Sequence, residues 1–527
     1  MRVNRDLLRE HQKIDRDFFV EYNNVYELFS AQAKKFPQKI FAIFPEYNKT
    51  FSYEDFADKV VERTRYLRQQ HVSKGDRTGL VLGTSPDFIL LYFAAFREGA
   101  TVVPINPDLS PPEIAYIAAD ANVKAVFYND RFSKKILEVQ KAAGLGRTVF
   151  IDVSSIDVKN APEAEDSAAP DVLCTDEAVI IYTSGTTGNP KGVVLSHLNL
   201  LADSQAISEW FCFTPNTRTL CILPLFHNNG QVVTLLAPLN AGGSTVMVPP
   251  KTSLGLFWSL VREYSIHWTS VMPSILAIIL SAKLERKDSS MVGIVCGGQV
   301  LNDEVKAQFE NTFHVPIFEG YGLTETTSFA SLNQFPANNR KLGTVGRALP
   351  SNDIVILDEA GQEAARGIEG EICMRGLNIM TEYLGLSEVN KKSLRGDLFH
   401  SGDYGYIDAD GYIYFRTRKD YLISKGGEKI YPSEVENVLF GHPAVDECAV
   451  IGVPDKLLGQ DIVAFVKLNS KCSKDSLKEF FIGKLAHYKH PKKIFIVNEL
   501  ADLTDIPKGP TKKVLYRELL KYYIENL

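Results

Sequence analysis

The string Tyr182-Thr-Ser-Gly-Thr-Thr-Gly-Asn-Pro-Lys-Gly192 gathers four hydroxyls, those of Thr183, Ser184, Thr186 and Thr187, around Gly185 and Gly188, with Lys191 close behind. Glycines let the backbone curl until its N–H groups converge on anionic oxygens. Hydroxyls add donors, and the lysine adds a point charge. This is chemistry for a polyphosphate. It is not a Walker loop, because GxxxxGK[ST] opening a helix is absent. The string lies instead between two apolar runs, Ala178-Val-Ile-Ile181 and Val193-Val-Leu195, which read as strands. Taken alone, such a turn is also what a polar hairpin would show.

Further along the chain, Pro224-Leu-Phe-His227 presents an imidazole after an aromatic ring, and by itself reads as a core histidine. Cys296-Gly-Gly-Gln-Val-Leu301 is a second Gly-rich segment. Phe318-Glu-Gly-Tyr-Gly-Leu-Thr-Glu325 sets a ring, a hydroxyl and a carboxylate among glycines, and by itself reads equally as a turn with a core tyrosine. Leu398-Phe-His-Ser-Gly-Asp403 ends on a carboxylate after a glycine. Thr417-Arg-Lys-Asp420, outside any context, is a solvated turn. Near the C-terminus, Ile506-Pro-Lys-Gly-Pro-Thr-Lys-Lys-Val514 carries adjacent lysines.

These segments need a scaffold, and the pattern is α/β. Residues 79–82, 101–105 and 123–128 read as strands, with helices over 85–97, begun by Ser85 and Pro86, and over 111–121. Strands recur at 220–223, 244–248 and 268–271, which predicts a second sheet lobe. Beyond about residue 340, short strands at 371–375 and 411–415 indicate a smaller, mostly antiparallel lobe, a small distorted β-barrel. After Asp420 come strands at 445–451 and 461–468 and a helix at 474–485. The predicted division is residues 1–417, a hinge at 418–420, and a small, mobile α+β domain over 421–527.

Composition sets the outer limits. The 527 residues are 45% apolar and 23% charged, enough for a large core and about three lobes. A net charge of −6 implies no general affinity for nucleic acid, although residues 421–527 are slightly basic. Seven scattered cysteines without CxxC fit a reduced, cytoplasmic protein with neither a disulfide framework nor a zinc site. The longest apolar run, Phe88 to Phe96, is about half of a membrane span, so no transmembrane segment is expected.

The segments, taken in order, resemble the motifs of the adenylate-forming superfamily: acyl-CoA synthetases, peptide-synthetase adenylation domains and luciferases. The resemblance spans most of the chain. It implies an ATP-dependent carboxylic acid–CoA ligase working through an acyl-adenylate. It also implies that Thr183 to Gly188 and Lys191 hold the phosphates. Gly298, Gln299, Glu319, Gly320, Tyr321 and Gly322 would border adenine, and Thr324 would meet phosphate. Glu325, with Thr183, would hold Mg²⁺. His227 would border the carboxylate pocket, Asp403 would take the ribose hydroxyls, and Arg418 a phosphate. Asp420 would be the pivot of the hinge, and Gly426 and Gly427 would line the tunnel for coenzyme A. Alignment on Pro507-Lys508 makes Lys513 the catalytic lysine.

The sequence departs from the family pattern at Thr417 and Lys512, where glycine is usual, at Ser401, where threonine is usual, and at Ser424, where some relatives carry a lysine. Relatives acting on α-amino acids usually carry an aspartate just after the aromatic of the pocket motif, the place His227 holds here. The absence of that aspartate implies an acid without an α-amino group, with a medium or long fatty acid as first choice and Leu235, Trp268, Val271 and Met272 as candidate pocket walls. Two other readings stay open: transfer of the acyl group to a carrier-protein thiol or an amine, and a non-catalytic ATP-binding protein on this fold.

Overall fold

The computed structural model describes residues 18–142, 144–156, 169–183, 189–282, 290–509 and 514–527. Its chain divides into two compact units, one of Met1–Leu301, Val305–Ile354 and Met374–His400, the other of Asn302–Glu304, Val355–Cys373 and Ser401–Leu527.

Two sheets build the first unit. A seven-stranded sheet runs, from edge to edge, Glu382–Tyr383, Lys191–Ser196, Glu177–Thr183, Thr101–Pro104, Arg77–Val81, Ala125–Tyr128 and Val149–Asp152. Its last five strands are parallel, and Lys191–Ser196 returns antiparallel to Glu177–Thr183. Parallel strands need crossovers, and the expected helices supply them. Helix Pro86–Glu98 starts where Ser85 accepts from the Phe88 N–H and ends at Gly99, whose φ of 71° suits only a residue without Cβ strain. Its faces are apolar all round, as a helix packed within a core requires. Phe93 meets Phe29, Phe41 and Phe56 with ring centroids 5.1–6.1 Å apart.

The nine-stranded sheet runs Arg347–Ala348, Ser331–Leu332, Ile317–Tyr321, Gly293–Cys296, Trp268–Val271, Arg218–Cys221, Ser244–Met247, Ile40–Phe44 and Lys49–Ser52. Its centre is parallel. Trp268 is 4% exposed and lies against the rings of Phe211, Phe213, Phe318 and Phe335, so this candidate pocket wall is core.

In the second unit, residues 403–407 of strand Leu398–Ile407 pair antiparallel with Ile413–Arg418. A further sheet orders Glu428–Ile430, Ile423–Lys425, Gly459–Leu468 and Val445–Asp455, with Lys493–Ile496 beside Gly459–Leu468. Alternation puts successive side chains on opposite faces. Val450, Ala464 and Val466 pack with Val435 and Leu439 of helix Pro432–Phe440. Ala449, Ile451, Val463 and Phe465 pack with Leu519 of helix Tyr516–Asn526. The helix expected over 474–485 is shorter, Lys474–Glu479; the chain turns after it, and Gly483 has a φ of 75°. No helix among the described residues is long and apolar enough to cross a membrane.

Candidate active site

The Gly-rich string connects the two strands of an antiparallel hairpin. Thr183 ends the first strand, Lys191 opens the second, and the two are register partners. Gly192 follows because a Cβ there would stand 3.0 Å from Ile180 and 3.1 Å from the Tyr182 ring. The Tyr182 hydroxyl donates to Asp120 Oδ2 at 2.5 Å. Ser184, Gly185, Thr186, Thr187 and Gly188 lie outside the described residues, as does Lys513.

Lys191 has an aromatic neighbour. Its Nζ stands 5.3 Å from the centroid of the Tyr383 ring. The Tyr383 hydroxyl donates to Glu325 Oε1 at 2.7 Å. Tyr383 belongs to the edge strand Glu382–Tyr383, which pairs with Val193 and Val194 beside Lys191. The Met380 N–H donates to the Glu325 carbonyl at 2.8 Å. Lys191 and the acidic residue of the Tyr-Gly-Leu-Thr-Glu segment thus meet across a tyrosine that the motif reading did not include.

The turn bearing Thr324 and Glu325 is under strain and is held from behind. Thr327 has a φ of 64° and a ψ of −62°, a region that β-branched residues avoid. Its hydroxyl donates to Asn378 O at 2.7 Å, and Asn228 Nδ2 donates to its carbonyl. Gly322 is obligatory, because a Cβ would fall 1.9 Å from Ser328 O. Behind the turn, Asp203 is fully buried on helix His197–Trp210. It accepts from the Ser328 hydroxyl and from Asn378 Nδ2, the latter at 3.2 Å. Asn378 also donates to the carbonyls of Thr326 and Phe329, at 3.3 and 3.1 Å. One buried carboxyl therefore anchors both ends of the turn, and Asn228, the residue after His227, ties the second motif to it.

Burial pushes the Asp203 carboxyl up to about 7, against the lowering effect of its hydrogen bonds. Between the ordinary value of 3.8 and about 7, the native chain keeps a proton that the unfolded chain has lost. Stability conferred at this site is therefore complete below the ordinary value, falls as pH rises through the window, and is level above it. Wild type should lose on the order of 2 kcal/mol between pH 5 and 7 relative to Asp203→Asn, whose amide does not titrate. Unfolding midpoints of both proteins across pH 5–8 check this; parallel curves would refute it.

Other predicted residues have more structural settings. Tyr321 is buried at the end of strand Ile317–Tyr321, paired with Ser331. The Glu319 carboxylate pairs with Lys306 inside the fold, so its charge is committed there. Gly320 would clash with Leu332 and Phe329 if it bore a Cβ, and Gly298, with a φ of 86°, turns the chain before Gln299. His227 caps the short helix Asn228–Gln231, with its ring 4.6 Å from that of Phe226. A π-helical turn, Val232–Leu236, continues it.

In the second unit, Asp403 and Arg418 are cross-strand partners, with Oδ1 and Nη1 3.4 Å apart. Ser401 bonds as a threonine would there. Its hydroxyl donates to Ile372 O at 2.6 Å and accepts from the Asp403 N–H at 3.0 Å. Thr417 stands in an extended strand opposite Tyr404, where glycine is not needed. Gly426 and Gly427, with φ of 61° and 88°, form the two-residue turn between Lys425 and Glu428, which the primed hairpin geometry demands. Lys425 Nζ is 2.6 Å from Asp461 Oδ1 in a pair shielded from solvent, and so does not replace a lysine at position 424. Asp420 pairs with Arg517 at 3.0 Å, and Tyr421 packs on Tyr516 with centroids 4.6 Å apart.

Motif reading missed Tyr383, Asn378 and Asp203. The sequence signal for the first two is the run Gly376-Leu-Asn-Ile-Met-Thr-Glu-Tyr383, in which polar residues interrupt apolar ones.

A model of the AMP-binding enzyme family matches residues 29–384, and a model of the AMP-binding enzyme C-terminal domain matches residues 434–505. The sulfoacetate–CoA ligase of Cupriavidus necator is 32% identical over 508 residues, 95% of this chain and 98% of that protein. The oxalate–CoA ligase of Arabidopsis thaliana is 29% identical over 515 residues, again 95% of this chain and 98% of that one. The structure of o-succinylbenzoate CoA synthetase from Bacillus subtilis, in complex with its acyl-adenylate intermediate, superposes with a TM-score of 0.84 at 28% identity, covering 94% of this chain and 98% of the other. The chain belongs to the AMP-binding enzymes, the adenylate-forming superfamily, and within it to the AMP-forming acid–CoA ligases.

Proposed function

We propose that the chain condenses a carboxylic acid lacking an α-amino group with ATP and then with coenzyme A. The observation that carries this reading is the convergence of Lys191 and Glu325 on Tyr383, which sets a cation and a carboxylate at the mouth of the phosphate hairpin. A substrate carboxylate oxygen attacks the α-phosphorus of ATP, and the bond to pyrophosphate breaks. Lys191 and the hydroxyls of the loop hold the departing phosphates, Tyr321 carries the adenine, and Asp403 the ribose. The side-chain oxygens of Glu325 and Thr183 are the hard donors Mg²⁺ takes. A bound Mg²⁺ would offset charge on the phosphate oxygens. The protein's own share is placement and electrostatic stabilisation.

The second step follows a turn of the C-terminal domain about Asp420, which withdraws Lys513 and brings Gly426 and Gly427 forward. The thiol sulfur of coenzyme A attacks the acyl carbon, AMP leaves, and the thiol proton is released. Residues 1–417, 418–420 and 421–527 are the parts that this motion requires. Free cysteines throughout the described residues fit work in the reducing cytoplasm.

The missing amino group is supported by His227, an imidazole where relatives acting on α-amino acids carry an aspartate, and by Asn228 beside it, which is neutral and engaged with Thr327. The relatives named for sulfoacetate and oxalate support a short anionic acid, and those named long-chain-fatty-acid–CoA ligases support the fatty acid expected from the sequence. ATP–pyrophosphate exchange across sulfoacetate, oxalate, octanoate, palmitate, benzoate and α-amino acids tests the reading. Exchange is expected with a non-amino acid, followed by CoA-dependent release of AMP. Exchange only with α-amino acids, or with none, would overturn it. Loading of a holo-carrier protein in place of CoA would move the acceptor.

A further inference from the structure

Lys191 and Glu325 present opposite charges to one small region, yet they meet through Tyr383 and not as an ion pair. Left to themselves, an ammonium and a carboxylate this close to a common side chain would pair, and each would then be lost to a phosphate or a cation. Tyr383 touches both groups. Its ring carries the ammonium on its π face, and its hydroxyl holds one oxygen of the carboxylate.

Tyr383 is itself fixed with unusual thoroughness for an edge position. It is 7% exposed. Its strand pairs with Val193 and Val194, and the flanking Thr381 and Leu384 N–H groups donate to Val194 O and Gly192 O at 3.0 and 2.8 Å. The Asn390 side chain clamps its peptide on both sides, Oδ1 accepting from the Tyr383 N–H at 2.7 Å and Nδ2 donating to its carbonyl at 2.8 Å. The main-chain bonds tie the tyrosine to the hairpin that carries Lys191. The Met380 N–H ties the same segment to the backbone of Glu325. The distance between the two motifs is thus set by one short strand.

We propose that Tyr383 is a positioning residue that keeps Lys191 and Glu325 apart and aimed, so that the lysine stays available to phosphate and the second carboxylate oxygen to a divalent cation. This inference rests on the reading of the site as one for magnesium-bound ATP. The hydroxyl and the ring have separable roles. Tyr383→Phe keeps the spacer and frees the carboxylate to rotate, so only the cation-dependent part of nucleotide binding should suffer. Tyr383→Leu removes the spacer, so Lys191 closes on Glu325 and both parts should suffer.

The test is calorimetric titration of the full chain with α,β-methylene ATP, once with Mg²⁺ and once with EDTA, alongside thermal unfolding to confirm that each variant folds. Tyr383→Phe should bind about tenfold more weakly with Mg²⁺ and within about twofold of wild type without it. Tyr383→Leu should bind more weakly in both conditions. Glu325→Asp, which draws the carboxylate back from an intact hydroxyl, should reproduce the Phe phenotype, and the two changes combined should cost no more than either alone. An unchanged ratio of magnesium to magnesium-free affinity in Tyr383→Phe, or additive losses in the double variant, would overturn the proposal. Wild type that binds the analogue in neither condition would instead overturn the functional reading on which it rests.

Discussion

Lys513→Ala should lower acid-dependent ATP–pyrophosphate exchange by about 10²–10³-fold, the loss seen when one preorganised hydrogen-bond donor is removed from a developing anion. Conversion of supplied acyl-AMP and CoA to thioester should stay within a few-fold of wild type. Charge builds on the phosphate oxygens only while pyrophosphate departs, so a lysine serving that step is idle in the next. Lys513 itself lies outside the described residues, but the segments on either side of it are tied together. Lys508 bridges to Val514, the Leu515 N–H donates to Pro507 O at 2.8 Å, and Lys508 pairs with Glu447 at 2.7 Å. A single side chain can therefore be removed without releasing those supports. Equal loss in both half-reactions would sink the assignment and turn attention to Lys512.

Glu325→Gln should cost about 100-fold in the same exchange, with the fold intact. Glutamine keeps an oxygen that can accept from the Tyr383 hydroxyl, and the Met380 N–H bonds the backbone of residue 325, so the turn retains its supports. What disappears is the negative charge. A neutral amide is a poor ligand for a hard divalent cation, so the variant should need more Mg²⁺ to reach half its own maximum. The decisive pair of measurements is exchange rate against Mg²⁺ concentration and the unfolding midpoint. Exchange within about threefold of wild type at every concentration would place the cation elsewhere.

The central expectation, that the Gly-rich string joins two strands and does not open a helix, agrees with the hairpin between Thr183 and Lys191. That outcome is legible because turn chemistry and β-run are local properties. The start of the first crossover helix is legible for the same reason, since Ser85 caps it and Pro86 opens it. The substitutions at Ser401 and Thr417 look like departures in the string of letters. Yet the hydroxyl of one still bonds as threonine would, and the other sits where extended backbone suits it.

The charge on Glu319 shows the limit. By motif it borders adenine, and nothing in the motif shows that Lys306, on helix Asp303–Phe313, pairs with its carboxylate. Gly426 and Gly427 show a second limit, since a glycine required by a turn and a glycine required by a ligand look alike in sequence.

By itself, the sequence determined which residue types fall close together and in what order: hydroxyls, glycines and a lysine in one string, a ring and a carboxylate in a later one. Each depends on residue types a few positions apart, and backbone sterics act over that range. Only the tertiary structure decided how these parts are held at working distance. Tyr383 reaches Glu325 across 58 positions, Asn378 reaches Asp203 across 175, and Asn228 reaches Thr327 across 99. A buried polar group is stable only where its partner is already waiting, and that partner is supplied by the fold and not by the neighbouring letters.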